Sequence, residues 1–399
     1  MDSKLGKNKE LGLYIHIPFC HTKCTYCDFN TYSGLENLID NFSDSIYKEI
    51  NFWGITEFYI VDTIFIGGGT PSYIDTEIIE NIINKISDNF LLSKNPEITL
   101  EINPEDVTKT KALEWEKIGI NRCSLGVQSL VNSELKILNR RHDSEKAMEA
   151  INILSKIFNN ISVDLIYGLP LQTKDSYIET LKKIISQDIN HISCYSLQVE
   201  KGTVLDQQVN TNKIHVANDD LSAEMYKITQ KILFENDFEN YEISNWSKQN
   251  KLSQHNLKYW TMKPYIGIGP GSHSYIDNKR FSIIKSPKKY VDFFKKPLKN
   301  IGSIREKILY LRENDFLDIY ENQLRENEIL EFLMLNLRLK DGININKFKK
   351  RFDLDFEDLY LNKLDYFIKE NIIFKKEESY ILSEKGKLFA NEVANNFVK

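Results

Sequence analysis

The sequence predicts an α/β fold: an open six-unit (β/α)6 partial barrel, followed by a cover segment and a winged-helix-like domain. Short apolar segments alternate with amphipathic helical segments through the first half of the chain. The alternation fades near residue 235. A closed eight-unit barrel needs about 250 residues, so an open barrel is favoured. Aromatic, glycine and histidine residues gather after residue 236, and charged helical sequence follows after residue 300.

Six apolar segments are the candidate strands of the barrel. They cover residues 13–17, 62–66, 97–102, 122–127, 161–167 and 191–197. The sequence between them has helical periodicity, for example from Asn37 and from Lys111. Strands that alternate with helices pair in parallel, and the helices cover the sheet. We therefore expect a parallel sheet of six strands.

Unusual residues follow the carboxyl end of each predicted strand. They are a cysteine loop after the first strand, GGGTPS after the second, Glu101, Gln128 and Asp164 at the next three ends, and YSLQVEKGT after the sixth. Parallel β/α folds gather their chemistry at these strand ends. The sequence therefore predicts one functional mouth that all six strands share.

Three domains are expected, over residues 1–235, 236–300 and 301–399. Two short strands around a polar turn and a helix after Gly386 indicate that the last is winged-helix-like. Residues 300–399 carry 17 Lys and Arg against 19 Asp and Glu. This balance lacks the positive footprint of a nucleic-acid-binding module, so we interpret the domain as a packing module.

Composition indicates a globular protein of the reducing cytoplasm. The 399 residues are 41% hydrophobic and include 5 cysteines. No apolar run suits a transmembrane span, and the start MDSKLGKNKE is unlike a signal peptide. Disulfides are therefore not expected, and Cys123 and Cys194, inside predicted strands, are interpreted as buried apolar residues. The net charge of −5 favours neither nucleic acid nor anionic lipid as a partner.

The loop after the first strand carries Cys20, Cys24 and Cys27 without an evident fourth ligand. Three thiolates can hold three irons of a 4Fe-4S cubane and leave the fourth iron open. An open position is typical of catalytic or substrate-binding metal sites, whereas structural zinc is closed by four ligands. The alternatives are zinc completed by His16 or His21 and a fortuitous spacing of the three cysteines.

The CxxxCxxC spacing, with an aromatic before the third cysteine, resembles the signature of the radical S-adenosylmethionine family. In that family S-adenosylmethionine chelates the unique iron, so the resemblance implies a cofactor as fourth ligand. The GGGTP run supports this, because glycines let backbone groups approach a ligand. The implied contacts of S-adenosylmethionine are Tyr14, Tyr26, Gly68, Gly69, Thr70, Glu101, Gln128, Arg140 and Asp164. A strand-end cap or a surface ion pair is the alternative role for each.

Further motifs along nearly the whole chain narrow the resemblance to the coproporphyrinogen III dehydrogenase-like proteins. They are YIHIPFC, CDFN, GGGTPS, GVQS, DLIYGLP and YEISNW. The oxygen-independent dehydrogenase of this group has a further cysteine where this chain has Phe29. It also has a longer arm than the 19 residues that precede Cys20. Both departures favour the haem-chaperone branch, HemW.

The segment HNLKYW, from His255 to Trp260, is similar to the HNxxYW motif associated with haem in that branch. An imidazole can ligate haem iron, and Tyr259 and Trp260 offer apolar faces to a porphyrin. These three residues are the implied haem site. The alternatives are that the patch packs a domain interface, and that His273 in GPGSHS is the axial ligand.

The resemblance thus implies a haem chaperone that carries a 4Fe-4S cluster, S-adenosylmethionine and haem, and passes haem to acceptor proteins. A non-enzymatic role is favoured, and no catalytic residue is assigned. The alternative is an enzyme of porphyrin biosynthesis, an oxygen-independent coproporphyrinogen III dehydrogenase that oxidatively decarboxylates its substrate. A structural zinc protein would need a fourth protein ligand.

Overall fold

A computed structural model describes residues 9–54, 58–322 and 324–398. Its strands are β1 (Lys9–Ile17), β2 (Tyr59–Gly68), β3 (Leu92–Ile102), β4 (Arg122–Gln128), β5 (Ile161–Tyr167), β6 (His191–Ser196), β7 (Glu239–Glu242), β8 (Asn245–Ser247), β9 (Tyr265–Ile268), β10 (His273–Ile276), β11 (Lys279–Ile283), β12 (Leu317–Asn322), β13 (Ile343–Asn344), β14 (Ile373–Lys376) and β15 (Ser379–Leu382). Its α-helices are α1 (Ile39–Trp53), α2 (Thr76–Asn89), α3 (Lys109–Lys117), α4 (Asn132–Ile137), α5 (Ser144–Ser155), α6 (Lys174–Ile185), α7 (Val204–Asn210), α8 (Asp219–Phe234), α9 (Gln254–Trp260), α10 (Pro287–Phe294), α11 (Ile304–Glu313), α12 (Arg325–Asn336), α13 (Ile345–Phe352), α14 (Phe356–Lys369), α15 (Glu384–Leu388) and α16 (Ala390–Val398).

The six strands β1 to β6 form a parallel sheet in chain order, with helices between them. This confirms the predicted α/β class and the open arrangement, since the described sheet ends at β12 on one side and at β7 on the other. The predicted strand segments coincide with these strands to within a few residues at each end.

Strand β4 shows how the sequence builds both a core and a functional face. Alternate residues of a strand point to opposite faces. Cys123, Leu125 and Val127 are fully buried in the main core. Ser124, Gly126 and Gln128 form the opposite face of the strand and line the functional cavity described below. Cys123 and Cys194 are both 0% exposed and unpaired, as predicted for apolar residues.

Helix α6 illustrates the helical layer that covers the sheet. Thr173 caps it by accepting a hydrogen bond from the Ser176 amide, and the Ser176 side chain completes the capping box. Tyr177, Leu181 and Ile184 recur at helical spacing and pack in the main core. Within the described ranges, no helix is long and apolar enough to cross a membrane.

Residues after 235 extend the sheet at both edges. Strand β8 pairs antiparallel with β6 and then with β7. At the opposite edge β9 pairs parallel with β1, and β10, β11 and β12 follow antiparallel. The connection from β8 to β9 carries α9, which packs against β2. The segment predicted as a cover of the barrel thus supplies strands to both edges of the sheet, whose backbone groups would otherwise lack partners.

The C-terminal region has its own core and a three-stranded sheet in the order β13-β15-β14. Helices α12, α13, α14 and α16 supply most of that core. This agrees with the predicted winged-helix-like domain. Strand β12, at 317–322, pairs with β11 in the large sheet, so residues after 301 contribute to both units.

Candidate functional site

The three cysteines of the first loop line one cavity of about 420 Å³ at the carboxyl ends of the parallel strands. Cys20 is buried, while Cys24 and Cys27 are half-buried, and all three thiols are free. Thr70 Oγ1 donates to Cys20 Sγ at 3.5 Å, and Arg140 Nη1 donates to Cys24 Sγ at 3.5 Å. Side chains from other strand ends therefore support the sulfur atoms.

The cysteine loop fits a cluster better than the zinc alternative. The imidazole of His16 is engaged on both sides, by the Tyr14 hydroxyl and by the Asn30 carbonyl, each at 3.0 Å. In the described part of the chain, no three side chains of metal-binding type gather closely enough for a single ion. A cubane does not need that convergence, because each thiolate binds a different iron.

The glycine run at the end of β2 is pressed against the cysteine loop. The Gly69 amide donates to the Ile17 carbonyl at 2.7 Å, and the Thr70 amide donates to the Phe19 carbonyl at 2.8 Å. A Cβ on Gly69 would lie 2.5 Å from the Phe19 oxygen and 3.0 Å from Cys20 Sγ. Gly68 adopts φ +116°, a conformation that favours glycine. The run leaves no room for side chains between loop and strand.

Glu101 reaches from the end of β3 to this glycine run. The Gly68 amide donates to Glu101 Oε2 at 2.9 Å. Desolvation raises the pKa of Glu101 to about 7, and the nearby charge of Asp164 adds to the rise. The hydrogen bond from Gly68 and the charge of Arg122 lower the pKa and so oppose the rise. The carboxyl group is therefore poised to ionise when a positively charged ligand enters the cavity.

Asp164, in the middle of β5, carries the second carboxylate of the cavity. Ser124 Oγ donates to it at 3.0 Å, and Ser162 Oγ donates at 3.3 Å. Desolvation raises its pKa, and the serine hydrogen bonds and Arg122 oppose that rise. The hydroxyls hold the carboxylate in one orientation, facing the cavity.

Arg140 connects Cys24 to Thr70 through Asn103, a residue that no sequence motif singled out. The Nη2 atom of Arg140 donates to Asn103 Oδ1 at 2.7 Å and to the Gly126 carbonyl at 2.8 Å. Asn103 in turn donates to Thr70 Oγ1 at 3.2 Å. Asn103 is two residues after Glu101, so the alternation of β3 continued past its end would have placed it on the same face.

The structure brings eight of the nine predicted S-adenosylmethionine residues to the cysteine cavity. They are Tyr26, Gly68, Gly69, Thr70, Glu101, Gln128, Arg140 and Asp164. Gln128 has φ +67°, an uncommon conformation outside glycine that often marks a functional site. Ser196, the last residue of β6, and Glu200, beyond it, also line the cavity, at the strand end where the sequence predicted a site.

Tyr14 lies instead in a second cavity of about 490 Å³ beside the first. Its walls are Tyr14, His16, Phe29, Asn30, Gly68, Glu101, Tyr259, Tyr265, Gly271, Ser272, His273 and Lys285. Phe29, Gly68 and Glu101 line both cavities. The functional mouth is therefore two adjoining compartments, with the cysteines in one and an aromatic, histidine-containing wall in the other.

The HNLKYW segment forms helix α9, and of its three predicted haem residues Tyr259 alone lines one of the two cavities. His255 is 0% exposed; its Nδ1 hydrogen-bonds with Thr63 Oγ1 and its Nε2 with the Tyr259 hydroxyl, each at 2.9 Å. Trp260 stacks under the Arg338 guanidinium at 4.8 Å. In this structure the segment packs α9 onto the sheet. The alternative interpretation of the motif, that it packs a domain interface, likewise gave His255 a packing role.

Two family profiles match the chain. The radical SAM superfamily matches residues 14–184, which hold the cysteine loop, the glycine run and strands β1 to β5. The HemN C-terminal domain matches residues 324–389, within the second core.

Relatives similar along almost their whole length carry one name. The heme chaperone HemW of Buchnera aphidicola subsp. Acyrthosiphon pisum is 34% identical, over 98% of this chain and 98% of that protein. The heme chaperone HemW of Bacillus subtilis is 32% identical, over 96% and 98%. The structure of coproporphyrinogen III oxidase (HemN) from Escherichia coli, a radical SAM enzyme, has a TM-score of 0.80 at 20% identity, over 98% of this chain and 91% of that one, and shows a shared fold. The chain belongs to the HemW family of radical SAM proteins.

Proposed function

We propose that this protein is a haem chaperone, which binds haem and passes it to acceptor proteins. The observation that carries the proposal is the similarity, along almost the whole chain, to proteins named heme chaperone HemW. The site agrees with it, since a cavity suited to a cluster adjoins one with aromatic walls. We further propose that the protein acts in the cytoplasm, where its free thiols stay reduced.

The residues of the first cavity fit a 4Fe-4S cluster and S-adenosylmethionine. Cys20, Cys24 and Cys27 would hold the cluster, while the backbone of the glycine run, Glu101 and Asp164 would hold the cofactor. When both are bound, the cluster can supply one electron to the sulfonium of S-adenosylmethionine.

The chain's own side chains bind, orient and shield at this site. Arg140 donates a hydrogen bond to the Cys24 sulfur and Thr70 donates one to the Cys20 sulfur, which orients both side chains toward the cavity. The glycines of the run carry no side chains, so the cysteine loop can lie directly against the end of β2. Glu101 and Asp164 both line the cavity, and their carboxylates would be acceptors for the ammonium and sulfonium groups of the cofactor.

Porphyrinogen decarboxylation is the alternative function. The likeness to HemN at 20% identity shows the fold and does not favour this reaction. Phe29 occupies the position of the dehydrogenase's additional cysteine and lines both cavities. The full-length relatives named as chaperones therefore support the chaperone function more directly.

Anaerobic, cluster-reconstituted protein should bind haem near one per chain, on a one-site assumption, and should form no protoporphyrinogen from coproporphyrinogen III. The two assays are a haem titration followed by absorption spectra, and product analysis with S-adenosylmethionine and a reductant. Transfer is then tested by mixing haem-loaded protein with an apo-haemoprotein and following its spectrum. Sustained turnover of coproporphyrinogen III without haem binding would make the dehydrogenase the better proposal.

Binding of S-adenosylmethionine should strengthen as the pH rises through about 7. The raised pKa of Glu101, about 7, means that its carboxyl group changes from mostly neutral to mostly ionised over this rise. The ionised form attracts the positive cofactor, so the dissociation constant should fall from about pH 6 to about pH 8 and then level off. Without cofactor, the free energy of unfolding should fall mainly between pH 4.5 and about 7, because over this range the folded state keeps the Glu101 proton and the unfolded chain has lost it.

Glu101→Gln is the matched control, because it keeps the shape and cannot ionise. Its cofactor affinity should be weaker and nearly independent of pH in this window. Equilibrium dialysis against labelled S-adenosylmethionine at several pH values measures both proteins. If the cofactor affinities of the two proteins changed equally with pH, Glu101 would not be part of the cofactor site.

A further inference from the structure

His273 differs from most of the chain's 7 histidines in the polar contacts of its ring nitrogens. Four of the others are buried with ring nitrogens engaged in polar contacts: His16, His142, His191 and His255. His21 bonds with the side chain of its neighbour Thr22. The imidazole of His273 makes no hydrogen bond or ion pair within the described ranges, and it is exposed at the wall of the second cavity.

The second cavity has the chemistry of a porphyrin site. Phe29 projects into it with 65% of its surface exposed, and Tyr259 and Tyr265 pack edge to face with centroids 4.7 Å apart. Flat aromatic faces of this kind suit a macrocycle. Lys285 lies at the rim, largely exposed, in a 3.8 Å ion pair with Asp318. An ion pair this long and exposed is weak, so a propionate group can compete with Asp318 for the ammonium.

We infer that haem binds in this second cavity with His273 as an axial ligand of the iron, Lys285 beside a propionate and Phe29 against the ring. The inference rests on the proposed function, because haem is the cargo it names. The cavity volume of about 490 Å³ lies within the range of sites that take compact organic ligands.

The position of His273 suits iron ligation, because its exposed ring lies on the wall of the second cavity and makes no hydrogen bond with the described residues. An exposed ligand also suits a chaperone, because an acceptor can reach the iron from the open side.

This placement gives His255 a different role from the one its motif implies. His255 Nε2 hydrogen-bonds with the Tyr259 hydroxyl at 2.9 Å, and Tyr259 forms part of the cavity wall. His255 therefore positions a wall residue and does not touch the iron. Loss of His255 should weaken haem binding while the spectrum of the bound haem keeps its histidine-ligated form.

The test is an anaerobic titration of ferric haem into the full-length, cluster-reconstituted chain. His273→Ala should lose the histidine-ligated absorption and electron paramagnetic resonance spectra and bind haem on the order of tenfold more weakly. Added imidazole should restore the spectrum in that variant, since the vacated side of the iron can take a free ligand. His215→Ala is the matched control, because His215 is also exposed and borders neither cavity.

Two further variants separate the roles of the walls. Lys285→Ala should weaken haem binding without changing the ligation spectrum, whereas His255→Ala should behave as described above. Iron content and the response of the cluster spectrum to S-adenosylmethionine check that each variant is folded.

The outcomes separate the site from the function. A wild-type spectrum and affinity in His273→Ala, with haem bound normally by the parent, would overturn the site and leave the chaperone proposal standing. A histidine-ligated spectrum lost in His255→Ala and kept in His273→Ala would move the ligand to α9. If the parent protein bound no haem at all, both proposals would fall.

Discussion

Cys24→Ser protein, reconstituted anaerobically with iron and sulfide, should lack the brown chromophore of a 4Fe-4S cluster. Cys24 Sγ faces the shared cavity and accepts a hydrogen bond from Arg140. Each thiolate of a three-cysteine loop holds a different iron, so one loss leaves two irons without protein ligands. We expect the same complete loss for Cys20→Ser and Cys27→Ser.

The matched control is Cys123→Ala, which removes a thiol that lies in the apolar core. It should keep full iron and sulfide and show only a modest loss of stability. Iron and sulfide analysis with absorption spectra measures all four variants. The cluster assignment is wrong if the three serine variants keep their full iron and sulfide, or if zinc is the native metal.

The strands that build this site were predictable because buried strands have a local signature. Strand β5 is a mostly apolar run that contains Ser162 and Asp164, and its predicted and observed bounds are both 161–167. A carboxylate inside a mostly apolar strand is costly to bury without a role. The signal for the strand and the signal for the site therefore came from the same seven residues.

The polar residues that support Asp164 could not be found in the same way. Ser124 and Ser162 belong to no motif, and small polar residues are common in strands. Their roles depend on register, which places Ser124 opposite Ser162 on β5 and opposite Glu101 on β3. Register between strands distant in sequence is a tertiary property that local periodicity does not carry.

The segment from 236 to 300 shows a second limit of local patterns. Strands β7, β8 and β9 have only 4, 3 and 4 residues, which is too short for a period of two to emerge. Their pairing with β6 and β1 joins residues far apart in the chain. The motif predicted a haem ligand at His255, but it could not predict that His255 is completely buried where α9 packs against β2.

Gly69→Ala should abolish the response of the cluster to S-adenosylmethionine and sharply reduce the cluster content of the protein. The new Cβ would lie 2.5 Å from the Phe19 carbonyl oxygen and 3.0 Å from Cys20 Sγ. Backbone atoms cannot rotate away as the end of a flexible side chain can, so the cysteine loop must shift. That shift breaks the bond from the Thr70 amide to the Phe19 carbonyl, which holds the loop to β2.

Gly302→Ala is the matched control, since a Cβ there meets no atom within 4 Å and the backbone is not in the left-handed region. Its stability should change by less than about 1 kcal/mol, with normal cluster content. Chemical denaturation, iron analysis and electron paramagnetic resonance spectra with and without S-adenosylmethionine measure both variants. Because the contact in Gly69→Ala is with the loop backbone, removing the Cys20 sulfur should not relieve it. A Gly69→Ala protein with full iron and a normal cofactor response would show that loop and glycine run are not in contact, and the placement of the cofactor between them would have to be abandoned.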